Sequence, residues 1–524
     1  MTRVPNLPYW GAIFYTSLLL SLLLTPVSDR LAKVLGLLDQ PGGRKEHSRL
    51  MSRSGGLALV SAMVLSLLLW VEIDLKMQAY LAGLALLTVT GIMDDRQSMP
   101  ATIKFAAQIL AAMVLVYLGG FKVLDLGNLF GTGQIDLGRW GAAFTVFGLV
   151  GFVNAMNLSD GLDGLAGGIA LIATLFFSAM ALTSGNTLAL ALCLALAGAL
   201  LGFLRYNHFP ARLFMGDTGS LALGFTLGTV CAVLASPFKF HGYSAMAVVT
   251  VMAVPVFDTL YVMAVRILKG RPPMRPDKTH LHHRLAKFGL SHPLRVAIIY
   301  CLCLGFGALA WAGRAWPAWE LLAIDGAILV FLYTAMAVGE KRGFQFRRSS
   351  RMEAILSWNR NRRMLVPLGG KSVRWAGPLF LVALFWPLPW IWPLDRPTGL
   401  FCLSLGLVLV CSFPWFSGRR RLPWAQSVFF LVSLALTGLY FFVQPKLKWL
   451  HYYLGSLSCL CLAWVVWRVL TKRKNEILLP TGFEVLLLGI IWFVPGILAP
   501  VLNMPEAVSR RILWTCVVSA PFMA

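Results

Sequence analysis

The side chains with chemical capacity in this chain are few, and they stand at the ends of long apolar runs. Asp94 and Asp95 close one run, in GIMDDRQSMPATIKF, and Lys104 opens the next. Asn154, Asn157, Asp160 and Asp163 recur at intervals of three in NAMNLSDGLDGLAGG. Asp217 lies in GDTGS ahead of a further run, with Asn207 and Arg212 just before it. His280, His282 and His283 crowd into HLHHRL among Arg271, Arg275, Lys278 and Arg284. Adjacent carboxylates repel and are tolerated best beside a cation. Oxygen donors of this kind suit Mg²⁺, which keeps several waters and binds alongside phosphates.

Each block also has a plainer reading. Asp94–Asp95 can be a solvated turn between two apolar segments. Thr218 or Ser220 can cap the helix after GDTGS, and a helix N-terminus also attracts phosphate. Asn154, Asn157, Asp160 and Asp163 share a helix side only locally. The glycines beside them permit a broken helix or close approach to a ligand. The three histidines fit zinc or pyrophosphate; with no cysteine nearby and four cations around them, pyrophosphate is favoured, through arginine forks and ring N–H groups. Asp258, inside VPVFDTLYVMAVR, reads equally as an interior pairing acid or a functional one. In the loop at 39–56, Arg44, Lys45, His47 and Arg53 serve either an anionic ligand or topogenic charge.

The elements that must position these residues are membrane spans. The chain is 58% hydrophobic and 13% charged, with a mean hydropathy of +0.73. Apolar stretches of about 20 residues recur throughout, about 11 before residue 340 and about six after it by the length a bilayer demands. Only helices satisfy their backbone in lipid in this way. The expected fold is therefore all-α, a polytopic integral membrane protein with about 10–11 core transmembrane helices and about six more in the C-terminal part.

A net charge of +24 does not point to nucleic acid. The basic residues cluster in alternate loops, at 30–53, 205–212, 269–284, 341–374, 419–421 and 472–474, as topogenic charge does. That puts the N-terminus outside and the chemically rich loops in the cytoplasm. A carboxylate costs roughly 2.5–3.5 kcal/mol at the centre of an inserted helix. Several carboxylates at one membrane edge read as a site that holds a metal ion and phosphates. The segment at 9–27 reads as a first span, not a cleavable leader. The nine cysteines are scattered through apolar segments and read as reduced, buried packing residues.

The organisation follows. Residues 1–340 carry every acid–histidine block and form the expected catalytic core. Residues 341–375 form a basic cytoplasmic linker. Residues 376–524 form an additional helical region, rich in Trp, Leu and Phe, with no such constellation.

Taken together and in this order, the aspartate pair, NxxNxxDGxDGL, GDTGS and HxHHRL resemble the polyprenyl-phosphate N-acetylhexosamine-1-phosphate transferases, over roughly residues 10–340. HLHHRL, Asp258–Thr259 after Pro255 and the lack of a long insert after Asp95 resemble the branch that uses a UDP-N-acetylhexosamine. The peptidoglycan branch carries three consecutive histidines; here Leu281 separates His280 from His282. The first loop departs from many relatives, with Ser52–Arg53 where they have Pro-Arg.

The resemblance implies transfer of a sugar 1-phosphate from UDP-N-acetylhexosamine to polyprenyl phosphate, with release of UMP, in the bacterial inner membrane. It implies Mg²⁺, with Mn²⁺ as its substitute, held by Asp217 and Asn157. Asp94, Asp95, Asp217 and His282 are the implied catalytic residues, Asp94 deprotonating or orienting the lipid phosphate; a two-step route, with an aspartate as nucleophile and a phospho-enzyme between, is the alternative, and the sequence does not separate the two. Arg53, Lys104, Asn154, Asp160, Asp163, Asn207, His280, His283 and Arg284 are the implied substrate contacts. A homodimer is a further expectation. Two other classes compete: a transporter, which would hold its acids near the bilayer midplane, and an inactive assembly subunit.

Overall fold

The computed structural model describes residues 7–39, 50–236, 243–270 and 279–345, and residue 497. The loop residues Arg44, Lys45, His47, Arg271, Arg275 and Lys278, nearly all of the linker and the C-terminal spans lie outside the described residues. The chain divides into two compact units, and the one built chiefly from residues 1–346 holds every element described below.

That unit is all-α. Its helices are α1 (Leu7–Leu35), α2 (Gly55–Trp70), α3 (Leu75–Arg96), α4 (Ala101–Met113), α5 (Gly141–Ser159), α6 (Leu165–Ser184), α7 (Thr187–Asn207) and α8 (Gly216–Ala235). They continue with α9 (Ala245–Val251), α10 (Ala253–Leu268), α11 (Leu281–Lys287), α12 (His292–Ala312) and α13 (Ala318–Lys341). One two-residue antiparallel pair, Leu38–Asp39 with Met51–Ser52, closes the first loop. Among the described residues nine helices are long and apolar enough to cross a membrane, ten if α9 and α10 count as one broken span, and α2 is a shorter apolar helix.

Helix α8 is the axis of the bundle, with 94% of its most apolar window buried, whereas α4 and α13 bury only 28% and lie at the periphery. Around α8 pack α2, α3, α5 and α6. The outer faces carry large apolar side chains such as Phe147, Phe331, Val330 and Leu69, all more than half exposed. A water-soluble protein would bury such surface; lipid accepts it.

Small residues set the close helix pairs, as expected where lipid gives no hydrophobic drive between helices. Between α1 and α7, Ser17 and Ser21 donate to the carbonyls of Ala195 and Ala199 at 2.6 and 2.7 Å. A side chain at Gly198 would meet the carbonyl of Phe14. Pro26 has no N–H for the carbonyl of Leu22, and Tyr206 of α7 donates its hydroxyl there instead, at 3.2 Å. Helices α9 and α10 meet at 90°. Pro255 stands in the first turn of α10, where it lacks a donor for residue 251 and its ring excludes that carbonyl.

Consecutive spans alternate in direction. The C-terminal ends of α3, α5 and α7 therefore meet the N-terminal ends of α4, α6, α8 and α12. At the far end of the bundle, Asp74, Asn186 and Ser244 cap α3, α7 and α9 with their own side chains. At the near end, α8 and α11 have no cap of their own and take one from another helix.

Of the cysteines in the described residues, Cys193, Cys231 and Cys303 are buried and reduced, as expected, but Cys301 is exposed. It lies on the outer face of α12, where a span presents apolar side chains outward.

Candidate active site

The near end opens into a cleft of about 440 Å³ lined by residues from six segments. Asp39 and Arg53 come from the first loop, Asp95 from α3, and Asp160 to Asp163 from the α5–α6 turn. Asn207, Phe209, Phe214, Gly216 and Asp217 come from the α7–α8 connection, with His283 from α11 and His292 from α12.

Asp217 stands in the first turn of α8. The chain enters that turn through Gly216 at φ +73°, in the left-handed region, and a Cβ there would strike the Asp95 carboxylate and the Arg53 carbonyl. Asp95 caps the helix. Its Oδ1 accepts from the N–H of Asp217 at 2.8 Å, and its Oδ2 accepts from the N–H and hydroxyl of Thr218 at 3.0 and 2.7 Å. A carboxylate over these otherwise orphaned donors is favoured by the helix dipole. The plainer reading, a cap from Thr218 or Ser220, does not hold: Thr218 donates to Asp95, and Ser220 accepts from Asn157.

Lys104 joins the aspartate-pair block to GDTGS. Its Nζ lies 3.0 Å from Asp94 Oδ2 and 2.9 Å from Asp217 Oδ2. Asp94 Oδ1 also accepts from the N–H of Met99, which fixes the carboxylate across the α3–α4 turn. Asn157 donates to Ser220 Oγ at 2.8 Å, one turn along α8 from Asp217. That leaves the amide oxygen of Asn157 as its remaining ligand atom.

The α5–α6 turn is held from three sides. Asn207 accepts from the N–H of Gly164 at 3.0 Å and donates to the carbonyl of Leu213. Asp163 accepts from the N–H of Ala211, and its own N–H donates to His292 Nε2. Tyr300 of α12 donates to the carbonyl of Gly164 at 2.6 Å. Asp160, at the end of α5, is thereby held among carboxylates. Burial, then the charges of Asp217, Asp95 and Asp163, push its carboxyl up to about 7, with Arg53 acting the other way.

The histidines divide. His283 lines the cleft. His282 lies against Gly161, where a Cβ would come within 2.6 Å of its Nε2. Burial, then the neighbouring His283, lower its pKa to about 3, so it is neutral at physiological pH. His280 turns away and pairs through Nδ1 with Asp258 Oδ2 at 2.9 Å. Arg284, expected at the sugar phosphate, instead donates to Glu340 at 2.8 Å and lies over the rings of Tyr261 and Tyr333. Asn154 is likewise turned from the cleft and donates to Gln108 of α4 at 2.7 Å.

The structure thus brings Arg53, Asp95, Asp160, Asp163, Asn207, Asp217 and His283 around one cleft, with Asp94, Lys104, Asn157 and His282 in contact with its walls. It places Asn154, His280 and Arg284 elsewhere. The cleft also contains Asp39, Phe209, Phe214 and His292, which motif reading did not assign. Asp39 forms an ion pair with Arg53 at 2.5 Å. Phe209 stacks on His292 with centroids 4.6 Å apart and keeps 43% of its surface exposed. An aromatic residue in the polar loop between two spans was the signal for Phe209 and Phe214; His292 carried none.

Five aspartates face one arginine in this cleft. A diphosphate would be repelled unless a cation accompanied it. Among the described residues no three His, Cys, Asp or Glu side chains converge to cage an ion by themselves. An ion that keeps several waters and shares substrate phosphates needs only one or two protein oxygens, and the aspartates of the cleft offer such oxygens, so the residues present fit Mg²⁺.

A helical membrane protein with an acid-lined, polar cleft where its spans meet agrees with the comparisons. The chain belongs to glycosyl transferase family 4, whose model matches residues 77–235, from α3 through α8. It is 38% identical over 320 residues to the probable undecaprenyl-phosphate N-acetylglucosaminyl 1-phosphate transferase of Bacillus subtilis strain 168, covering 61% of this chain and 89% of that protein. It is 35% identical over 344 residues to the decaprenyl-phosphate N-acetylglucosaminephosphotransferase of Mycolicibacterium smegmatis, covering 60% and 84%. Against the undecaprenyl-phosphate alpha-N-acetylglucosaminyl 1-phosphate transferase of Escherichia coli K12 the identity is 28% over 311 residues, covering 58% and 84%.

Proposed function

We propose that this protein transfers N-acetylhexosamine 1-phosphate from a UDP-sugar to polyprenyl phosphate in a bacterial cytoplasmic membrane, with its cleft facing the cytoplasm. An oxygen of the lipid phosphate attacks the β-phosphorus of the donor. The bond from that phosphorus to the bridging oxygen breaks, and UMP leaves with the electron pair. The product is a polyprenyl-diphospho-sugar that starts an envelope polysaccharide. The observation that carries this reading is the cluster Asp94–Lys104–Asp217 beside Asp160, at the end of the bundle where a soluble nucleotide and a membrane lipid can meet. A transporter would hold these acids near the midplane instead.

Asp217 and the amide oxygen of Asn157 would hold Mg²⁺. The ion, when bound, offsets charge on the diphosphate and on the departing UMP. Lys104 holds Asp217 in place and adds a positive charge beside the reacting phosphates. Arg53 contributes a guanidinium fork for phosphate oxygens, and neutral His282 supports His283 at the cleft wall. Asp94 is the group that orients the lipid phosphate. A phosphate monoester has a second pKa near ~6, so it arrives mostly ionised and positioning outweighs proton removal. An open apolar groove of about 660 Å³ between α10 and α13, lined by residues including Phe257, Leu260, Leu329 and Val330, offers a berth for an isoprenoid chain.

The test is direct. Purified full-length protein is incubated with UDP-GlcNAc, undecaprenyl phosphate and Mg²⁺, and UMP and glycolipid are measured. Equimolar production of both, abolished by EDTA and restored by Mg²⁺ or Mn²⁺, is expected. UDP-GalNAc and other UDP-amino sugars then identify the donor. No lipid-dependent UMP release with any of them would defeat the proposal.

A further inference from the structure

We propose that α13 braces the histidine-bearing helix α11, and that Tyr333 and Glu340 are positioning residues for the transfer reaction. This inference rests on the transferase reading and extends it to a helix outside the matched family segment.

Helix α11 has seven residues. A helix that short is not stable by itself, so its orientation must come from what it touches. Its N-terminal anchor is Asp258 of α10. Oδ2 of that carboxylate takes the ring Nδ1 of His280 at 2.9 Å, and Oδ1 accepts from the N–H of Leu281 at 2.9 Å. Oδ1 also accepts from the hydroxyl of Tyr333 on α13, at 2.6 Å. Three donors from two other segments thus converge on the two oxygens of one side chain.

A second anchor lies one turn further on. Arg284 donates through Nε to Glu340 Oε1 at 2.8 Å and through an Nη to the Tyr261 hydroxyl at 3.3 Å. Its guanidinium sits over both Tyr261 and Tyr333, whose rings stack with centroids 3.9 Å apart. Residues four apart share a helix face, so His280 and Arg284 pin one face of α11 to α10 and α13. The other side is thereby aimed: His282 packs on Gly161 and His283 enters the cleft. Neither Tyr333 nor Glu340 lines the cleft, although the Tyr333 ring forms part of the wall of the apolar groove between α10 and α13. Their effect on the reaction runs through Asp258 and Arg284.

Tyr333→Phe in the full-length chain is the decisive variant, because it keeps the ring against Arg284 and removes only the hydroxyl. The expected result is a kcat about 10–100-fold lower, by analogy with lost supporting contacts elsewhere, with KM for UDP-GlcNAc within about twofold and a Tm lowered by no more than the loss of one hydrogen bond allows, so that the protein stays folded at the assay temperature. Adding Tyr333→Phe to Asp258→Asn should cost nothing more than Asp258→Asn alone. Glu340→Gln should likewise lower kcat. Wild-type kcat in Tyr333→Phe, or a loss that merely follows the fraction of unfolded protein, would overturn the brace. A spectroscopic readout is independent of turnover: ¹⁵N-histidine spectra should show His280 protonated on Nδ1, and an Nε2–H tautomer overturns the brace whatever the activity. Absent UMP release from the wild type, by contrast, defeats the transferase reading.

Discussion

Asp95 on α3 caps the helix that begins at Asp217, taking the N–H groups of Asp217 and Thr218 onto its two carboxylate oxygens. One member of the acidic pair is thus spent on holding a second acid in place, while its neighbour Asp94 reaches the same acid through Lys104. Asp258 does the same for α11. Both helices that deliver residues to the cleft this way are capped by a carboxylate from another span, so assembling the bundle and assembling the site are one event.

Replacing Asp95 by Ala should therefore lower stability as well as activity. Loss of a cap costs about 0.5–2 kcal/mol, and thermal unfolding in detergent should show the drop together with a loss of UMP release. Asp95→Asn, which keeps the shape and an acceptor oxygen, should recover most of the stability. Equal Tm values for Asp95→Ala and wild type would refute the cap.

Asp217→Asn behaves differently. Asp95 still caps its backbone N–H, so the variant should insert and unfold like wild type. Turnover should be nearly abolished, because both the Lys104 pair and the proposed metal oxygen are lost. Wild-type rates for Asp217→Asn at saturating Mg²⁺ would remove Asp217 from the metal site.

Gly161 abuts His282 closely enough that a methyl group has no room. Gly161→Ala should displace the His282 ring, with a fall in kcat of up to about 100-fold for a shift on the order of 1 Å. Serine at this position should be no better, since the obstacle is the Cβ itself. Full activity in Gly161→Ala would show that His282 does not need its observed place.

His282 makes a prediction in pH. Its pKa falls from 6.5 to about 3 on folding, so between those values the unfolded chain binds the extra proton. Its contribution to stability is complete above pH 6.5 and declines as pH falls toward 3, by at most ~1.4 kcal/mol per pH unit. Asp160, pushed up from 3.8 to about 7, works in the opposite direction: in its window the folded state holds the proton, and stability rises as pH falls. The two are separated by mutation. His282→Asn should flatten the acid-side loss of Tm relative to wild type; an unchanged Tm profile would show that His282 is not buried neutral.

A chain stopped after residue 345 tests the division of labour. All the site residues described here precede that point, so the shortened protein should retain UMP release. Its complete loss in a protein that still inserts would give the C-terminal residues a part in the chemistry.

Much was legible in the sequence because a bilayer imposes one-dimensional rules. Length and apolarity identify the spans, and an acid or histidine that survives beside them stands out against the cost of burying charge. The alternation of spans then puts Asp94, Asp160, Asn207 and Asp217 at one end without any knowledge of packing. Motif spacing could not tell which side chains face the cleft. HLHHRL reads as one cationic cluster, yet His283 enters the site while His280 and Arg284 turn to Asp258 and Glu340. Asn154 and Asn157 are one helical turn apart, yet one meets Gln108 and the other Ser220. Those choices depend on which neighbouring helix lies on each side and at what rotation. Contacts far apart in the chain set that rotation: Asp95 with Thr218, Gly161 with His282, Tyr333 with Asp258. The sequence determined the inventory and the end of the bundle where it gathers; only packing decided each residue's direction, because a helix side chain's partner is set by its neighbour's position and not by its own.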